Sequence, residues 1–83
     1  MNKLDVVKSI KNIIIKSMGL EIQPSQIVGE DLIEELGINS VDALEIFVWI
    51  ENIFEIQIAD DELNANLLGS IEYLAEYISS KKN

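Results

Sequence analysis

The sequence predicts an all-α fold: a four-helix bundle of three longer helices and one short helix, with a long first loop. Three segments repeat apolar residues at the spacing of an amphipathic helix. Only residues 55–59 alternate like a β-strand, and five residues without a partner strand cannot form a sheet. With 83 residues and 48% hydrophobic content, the chain suits one core, so we expect a single domain over residues 1–83.

The first helix is predicted from Asn2 to Met18, where the apolar residues share one face, and Gly19 is well suited to end it. Residues 20–38 form a connection that must be held to the core, because long free loops are rare in compact domains. Within it, residues 25–27 and 31–36 can each form a short helical turn. The apolar residues expected to hold this loop are Ile22, Ile27, Val28, Leu32, Ile33 and Leu36.

The second helix is predicted from Ser40 to Phe54 and has two apolar faces. At 100° per residue, the expected core face contains Ala43, Ile46, Phe47, Ile50, Ile53 and Phe54. The opposite side carries Val41, Leu44 and Val48 with acidic neighbours, and apolar residues left in water usually mark a contact site. The alternative is that the long loop folds over Val41 and Leu44. Trp49 lies at the border between the two faces, where we expect partial burial.

The last third of the chain is predicted to contain a connector, a short helix and a long final helix. Ile56 and Ile58 should enter the core from an extended segment. Residues 60–62 are acidic and resemble the cap and first turn of a short helix through about Asn66; they lack the glycine and spacing of a calcium loop, so we predict no metal site. Ser70 should cap the final helix, which is expected to pack through residues 71–78 and to fray from Ser79.

The composition argues against several classes of function. Fifteen acidic residues against six basic ones give a net charge of −9, whereas nucleic acids and anionic membranes require a positive surface. The chain has neither Cys nor His, so it lacks a thiol and the commonest general base. No secretory signal or apolar run of transmembrane length is visible. We therefore expect a cytoplasmic monomer that neither inserts into membranes nor acts as an enzyme.

The start of the second helix is the candidate functional site. Asn39 can cap this helix, with Asp42 as its reciprocal partner. Ser40 then occupies the first helical position, with its hydroxyl above free backbone N–H groups that favour a phosphate. The alternative is that Asn39 and Ser40 form only an ordinary cap. A hydrolase that uses Ser40 as a nucleophile would need a base that nothing in the sequence places beside it.

Residues 37–45, Gly-Ile-Asn-Ser-Val-Asp-Ala-Leu-Glu, resemble the modification motif of acyl carrier proteins, G-x-D-S-L-D-x-x-E. Residues 54–58 and the acidic residues after them are similar to the family's segment after its second helix, and residues 70–78 resemble its final helix. The resemblance covers nearly the whole chain, in the family's order and approximate spacing. Two positions depart from the motif: Asn39 replaces the usual Asp, and Val41 replaces the usual Leu or Met.

The resemblance implies a carrier that holds acyl groups as thioesters on a 4′-phosphopantetheine arm, joined to Ser40 by a phosphodiester. It also implies partners: a phosphopantetheinyl transferase, and loading and synthase enzymes of fatty acid or related biosynthesis with basic docking patches. The docking residues expected by position are Asn39, Val41, Asp42, Leu44, Glu45, Val48 and Glu51. Two alternatives remain open at this point: a carrier of aminoacyl or polyketide intermediates, and an unmodified helical adaptor that binds partners through the second helix.

Overall fold

A computed structural model describes residues 2–82, apart from the side chain of Ala65. Its α-helices are α1 (Lys3–Met18), α2 (Leu32–Leu36), α3 (Ser40–Phe54) and α4 (Ile71–Lys82), and its 3₁₀ turns are Pro24–Gln26, Asp60–Glu62 and Ala65–Leu68. Within residues 2–82 there is no β-strand. The predicted all-α class, with three long helices and one short one, is confirmed.

The first long helix begins and ends through local backbone chemistry. The Asn2 side chain accepts a hydrogen bond from the Asp5 N–H at 2.9 Å, so Asn2 is the cap rather than the first helical residue. Gly19 adopts the left-handed conformation at φ 65°, and the next amide, of Leu20, bonds back to the Ile15 carbonyl at 2.9 Å. The predicted helix is confirmed to within one residue.

The core lies where α1 packs against both α3 and α4. Burying one aliphatic or aromatic side chain there stabilises the fold by roughly 1.5–3 kcal/mol. Ile56 and Ile58 enter the core from the extended segment, as predicted, although Ile56 is only partly buried. The largest fully buried side chains are Val6, Ile10, Ile14, Ile27, Leu32, Ile46, Ile50, Phe54, Leu68, Leu74 and Ile78.

The prediction that Ile53 lies on the core face of α3 is wrong. Ile53 is 51% exposed, although a spacing of 100° per residue around the helix axis placed it beside the buried Ile46 and Ile50. It lies at the edge of the apolar arc and borders a shallow groove together with Trp49 and Lys16 of α1. A wheel gives only directions around a helix axis, whereas the position of α1 decides how far around that axis the core extends.

The long first loop is held to the domain by backbone hydrogen bonds and by apolar side chains that contact the core. Gly29 packs against Ile71, and the Ile71 N–H donates to the Gly29 carbonyl at 2.8 Å. The Glu35 carboxylate accepts hydrogen bonds from the Val28 and Gly29 amides at 2.7 and 2.9 Å. Five of the six apolar residues expected to hold the loop do contact the core, but Val28 does not.

Val28 is 71% exposed, so its predicted role is wrong. The neighbouring Gly29 has φ 84°, and its backbone occupies the space against Ile71 that a side chain at this point of the loop would need. The approach to α4 is therefore made by a residue without a side chain, and Val28 is left in solvent.

Two predictions for the last third of the chain are also wrong. Residues 60–66 do not form one short helix, because Asn64 interrupts it: its side chain accepts from the Asn66 N–H at 2.9 Å and begins a second 3₁₀ turn. The only short α-helix within residues 2–82 is α2, in the first loop. The final helix does not fray at Ser79 but continues through Lys82. Asn83, the last residue of the segment predicted to fray, lies outside the described residues.

Ser70 caps α4 as predicted, accepting from the Glu72 and Tyr73 amides at 3.1 and 3.3 Å. Three residues after the cap the chain has Tyr73, which has no carboxylate to complete a capping box. None of the helices within residues 2–82 has both the length and the apolar character needed to cross a bilayer.

Candidate functional site

The start of α3 is fixed by two local devices. Gly37 ends α2 in the left-handed conformation at φ 65°, which reverses the chain and allows Ile38 to enter the core. Asn39 then forms the predicted capping box: its side chain accepts from the Asp42 N–H at 2.8 Å, and the Asp42 carboxylate accepts from the Asn39 N–H at 3.4 Å. Asn therefore fills the cap position without the charge that Asp would add.

Ser40 is the first residue of α3 and is exposed to solvent. Within residues 2–82, no protein atom accepts a hydrogen bond from the N–H groups of Ser40 and Val41. These amides and the positive end of the helix dipole favour an anion near the Ser40 hydroxyl. An exposed hydroxyl beside free amides fits a covalently attached phosphodiester, and the neutral Asn39 leaves Asp42 as the one carboxylate of the capping box.

A cleft of about 300 Å³ opens directly beside Ser40, and we call it the Ser40 cleft. Most of its lining is apolar, and Phe47 lies at its buried side. Leu63 and Asn64 form the opposite wall, more than twenty positions further along the chain. Sequence reasoning did not predict this wall, because no local pattern places residues 63 and 64 beside Ser40. The lining is Ile33, Ile38, Asn39, Ser40, Ala43, Leu44, Phe47, Leu63 and Asn64.

The predicted apolar stripe lies on the outer face of α3 and is exposed to solvent. Val41, Leu44 and Val48 are between 48% and 64% exposed, so the first loop does not fold over them. Trp49 is 38% exposed, which agrees with the partial burial expected at the border of the two faces. Leu44 also lines the Ser40 cleft, so the stripe and the cleft are continuous.

The two acidic residues predicted to flank this stripe differ in their surroundings. Glu45 is exposed. Glu51 is partly buried, and its carboxylate accepts a hydrogen bond from the Ile58 N–H at 2.9 Å. This bond holds the extended segment 55–59 against α3. Glu51 therefore has a structural contact that its direction around the helix axis did not reveal.

The site contains no arrangement of metal ligands. Within the part of the chain that the structure describes, no group of three acidic side chains converges on one point. The acidic residues 60–62 form a 3₁₀ turn, and the residue at its cap position is Ala59, so their predicted role as a side-chain cap is wrong.

Comparison with known proteins defines the class first. A family model described as "Phosphopantetheine attachment site" matches residues 8–78, which include all of the site and most of the core. The chain belongs to this family. Membership implies a covalent 4′-phosphopantetheine prosthetic group, and the exposed Ser40 hydroxyl with its free amides is compatible with such a group.

Similar curated proteins narrow the class to a particular kind of carrier. The chain is 30% identical over 81 residues to an acyl carrier protein of Karelsulcia muelleri, with 95% of this chain and 96% of that protein covered. It is 29% identical over 84 residues to acyl carrier proteins of Chlorobium phaeovibrioides and Chlorobium luteolum, in each case with 98% of this chain and all of the relative covered.

Proposed function

We propose that this protein is an acyl carrier whose prosthetic arm is attached to the Ser40 hydroxyl. When bound, 4′-phosphopantetheine supplies a terminal thiol on which acyl groups are held as thioesters. The observation that carries the proposal is the placement of Ser40: an exposed hydroxyl at the start of a capped helix, beside free amides and an apolar cleft. The similarity to acyl carrier proteins supports fatty acid or related biosynthesis as the setting.

In this proposal different parts of the site have different roles: some residues position Ser40, and the cleft holds the acyl chain. Asn39 and Asp42 fix the start of α3 through their reciprocal hydrogen bonds and thereby hold Ser40 in place. The Ser40 cleft can shelter an apolar acyl chain close to its point of attachment. The family is one of carriers, so its partner enzymes supply the chemical steps. The lack of His and Cys supports the view that the chain itself catalyses none of them.

The attachment is tested by incubating the protein with coenzyme A and a broad-specificity phosphopantetheinyl transferase. Intact mass should show one pantetheinyl phosphate per chain, and peptide mapping should place it on the peptide that contains Ser40. A chain that takes no adduct, or takes it on another serine, would overturn the proposal. The mass of the protein purified from its native source would additionally report the cargo.

We further propose that partner enzymes dock on the outer face of α3 through a basic patch. The apolar centre of this face of α3 is formed by Val41, Leu44 and Val48, and Glu45 is an exposed charge at the rim of the face. Charged groups at the rim of an interface act mainly on the association rate, and this effect weakens as salt screens them.

Charge reversal by Glu45→Lys should slow association with the transferase by roughly three- to tenfold at low salt. The salt dependence of the association rate should become weaker, because one attractive charge has been replaced by a repulsive one. Stopped-flow association at two ionic strengths measures both quantities.

Glu21→Lys is the matched control for this measurement, because Glu21 is an exposed acidic residue of the first loop and the substitution changes the net charge by the same amount. Equal association rates for the two variants would contradict docking at Glu45. Glu51→Lys is a poorer test, because it would also remove the hydrogen bond to the Ile58 amide.

The second candidate function is an unmodified adaptor that uses the exposed stripe on α3 for binding alone. The stripe itself favours this candidate, since an apolar contact surface needs no prosthetic group. In a complementation assay an adaptor would tolerate Ser40→Ala and fail with Leu44→Glu, whereas a carrier would fail with Ser40→Ala alone.

A further inference from the structure

A side-chain cluster on the far side of the Ser40 cleft connects α4 to the cleft wall. The Tyr77 hydroxyl donates a hydrogen bond of 2.7 Å to Glu62 Oε1. Lys81 Nζ lies 3.5 Å from the same oxygen and 5.4 Å from the centre of the Tyr77 ring. Three residues of different charge type thus meet at one point, and neither the Ser40 site nor the docking surface uses them.

Glu62 directly precedes the wall of the Ser40 cleft, which consists of Leu63 and Asn64. Leu63 follows it in the chain, and the Asn64 N–H donates to the Glu62 carbonyl at 2.9 Å. The Asn64 side chain in turn accepts from the Asn66 N–H. A displacement of Glu62 would therefore be transmitted to both wall residues that face the cleft.

Space lies on both sides of this wall. The Ser40 cleft of about 300 Å³ is on one side, and a smaller cleft of about 140 Å³, bordered by Tyr77, Glu62 and Asn64, is on the other. Asn64 borders both. Movement of the wall toward α4 would enlarge the Ser40 cleft at the expense of the smaller one, and the bond from Tyr77 fixes the wall between them.

We propose that Tyr77, acting through Glu62, is a positioning residue that sets the width of the Ser40 cleft and thus the size of the acyl group it shelters. The acyl part of this inference rests on the proposed function, whereas the positioning of the wall does not. Tyr77 is not among the residues that line the Ser40 cleft; its effect is transmitted through Glu62 and the wall.

The protonation states of the pair suit this role at neutral pH. The hydrogen bond from Tyr77 lowers the pKa of Glu62 below its ordinary value. Burial, with the Glu62 carboxylate beside it, raises the pKa of Tyr77 to about 12. The contribution of Glu62 to the stability of the folded protein is therefore present above its unfolded pKa and is lost as the pH falls through its folded pKa. The contribution of Tyr77 to that stability is present below its unfolded pKa and is lost as the pH rises through about 12. Lys81 and Asp61 are the other charged groups that face the pair.

Tyr77→Phe tests the proposal, because it removes the hydroxyl and retains the ring beneath Lys81. Tyr73→Phe is the matched control, since Tyr73 is an exposed tyrosine one helical turn earlier on α4 that borders the same smaller cleft, and within residues 2–82 its hydroxyl makes no hydrogen bond to Glu62. Amide hydrogen exchange in the unmodified protein should become about two- to tenfold faster at Asn64 in Tyr77→Phe, from the loss of one hydrogen bond. The free energy of opening at Asn64 should stay below that of the Ile10 and Ile46 amides in the core, which identifies a local opening of the wall and not global unfolding.

Two further readouts separate positioning from simple packing. The pKa of Glu62, followed by NMR, should rise toward its ordinary value in Tyr77→Phe and not in Tyr73→Phe. The double variant Tyr77→Phe/Glu62→Ala should exchange no faster at Asn64 than Glu62→Ala alone, because the two side chains act through one bond. Unchanged exchange at Asn64, or fully additive effects of the two substitutions, would overturn the inference.

The acyl part is tested on protein loaded with butanoyl, octanoyl or dodecanoyl thioesters. The hydrolysis half-lives of the three thioesters should change relative to one another in Tyr77→Phe and keep the wild-type order and ratios in Tyr73→Phe. Equal ratios in the two variants would overturn the size-setting role. Failure of every variant to load would instead count against Ser40 as the attachment residue, and the exchange measurements would still decide whether Tyr77 positions the wall.

Discussion

Replacing Ser40 with alanine is expected to abolish attachment of the prosthetic arm while the protein stays folded. Ser40 is exposed at the first position of α3, and the helix is capped by Asn39 and Asp42 instead. Within residues 2–82 the Ser40 side chain makes no hydrogen bond. The free energy of unfolding should therefore change by no more than about 0.5 kcal/mol, as for other exposed surface positions. Intact mass after incubation with coenzyme A and the transferase measures attachment, and thermal unfolding measures the fold.

Ser25→Ala provides the matched control, because Ser25 is also exposed and lies in the first turn of a short helical segment. It should be modified at the wild-type rate. A pantetheinyl adduct on Ser40→Ala would show that the arm is attached elsewhere. A folded Ser40→Ala that supports growth in place of the wild type would favour the adaptor function over the carrier function.

Among the glycine-to-alanine substitutions of this chain, Gly29→Ala is expected to destabilise the protein most. At φ 84°, an L-residue costs about 1–2 kcal/mol. A Cβ at this position would also lie against Ile71, 3.0 Å from its Cβ and in collision with its Cγ2, and overpacking of this kind costs roughly 1–3 kcal/mol. The total is a large part of the stability expected for a domain of this size, on the order of 5 kcal/mol. Thermal unfolding should show a fall in Tm of roughly 8–40 °C, at about 4–8 °C per kcal/mol for a domain of this size.

Gly19→Ala separates the two causes, since Gly19 has φ 65° and a Cβ there would meet nothing within 4 Å. Its cost should be only the backbone term of about 1–2 kcal/mol. In an Ile71→Ala background, Gly29→Ala should cost less than it does in the wild type, because the methyl group it strikes has been removed. Equal Tm values for Gly19→Ala and Gly29→Ala would show that Ile71 moves aside without cost.

The helices could be predicted because their signals are local. Apolar spacing gave the long helices α1, α3 and α4, and the residues that end or cap them, such as Gly19, Asn39 and Ser70, lie within a few positions of the backbone groups they satisfy. The same locality made the exposed, capped position of Ser40 predictable, because the cap and the hydroxyl occupy consecutive positions. The exposed apolar stripe on α3 was predictable for a related reason: a helix with two apolar faces can bury only one of them in so small a domain.

What failed were predictions about which of two available surfaces is covered. Ile53 and Val28 are apolar residues in segments that do contact the core, yet both are exposed, because the position of α1 and the close approach of Gly29 to Ile71 decide the outcome. The short helix predicted for residues 60–66 failed because Asn64 can serve either within a helix or as a new cap, and local sequence does not distinguish the two.

The sequence by itself therefore determined the helical class, the capped serine and the exposed stripe, since each depends on residues within one or two helical turns of one another. Only the tertiary structure decided that Leu63 and Asn64 close a cleft beside Ser40, that Glu51 bonds to the Ile58 amide, and that Tyr77 reaches Glu62. The physical reason is separation along the chain. Such pairs are brought together by the packing of the helices around a shared core, and no periodic pattern in the sequence records where that packing places them.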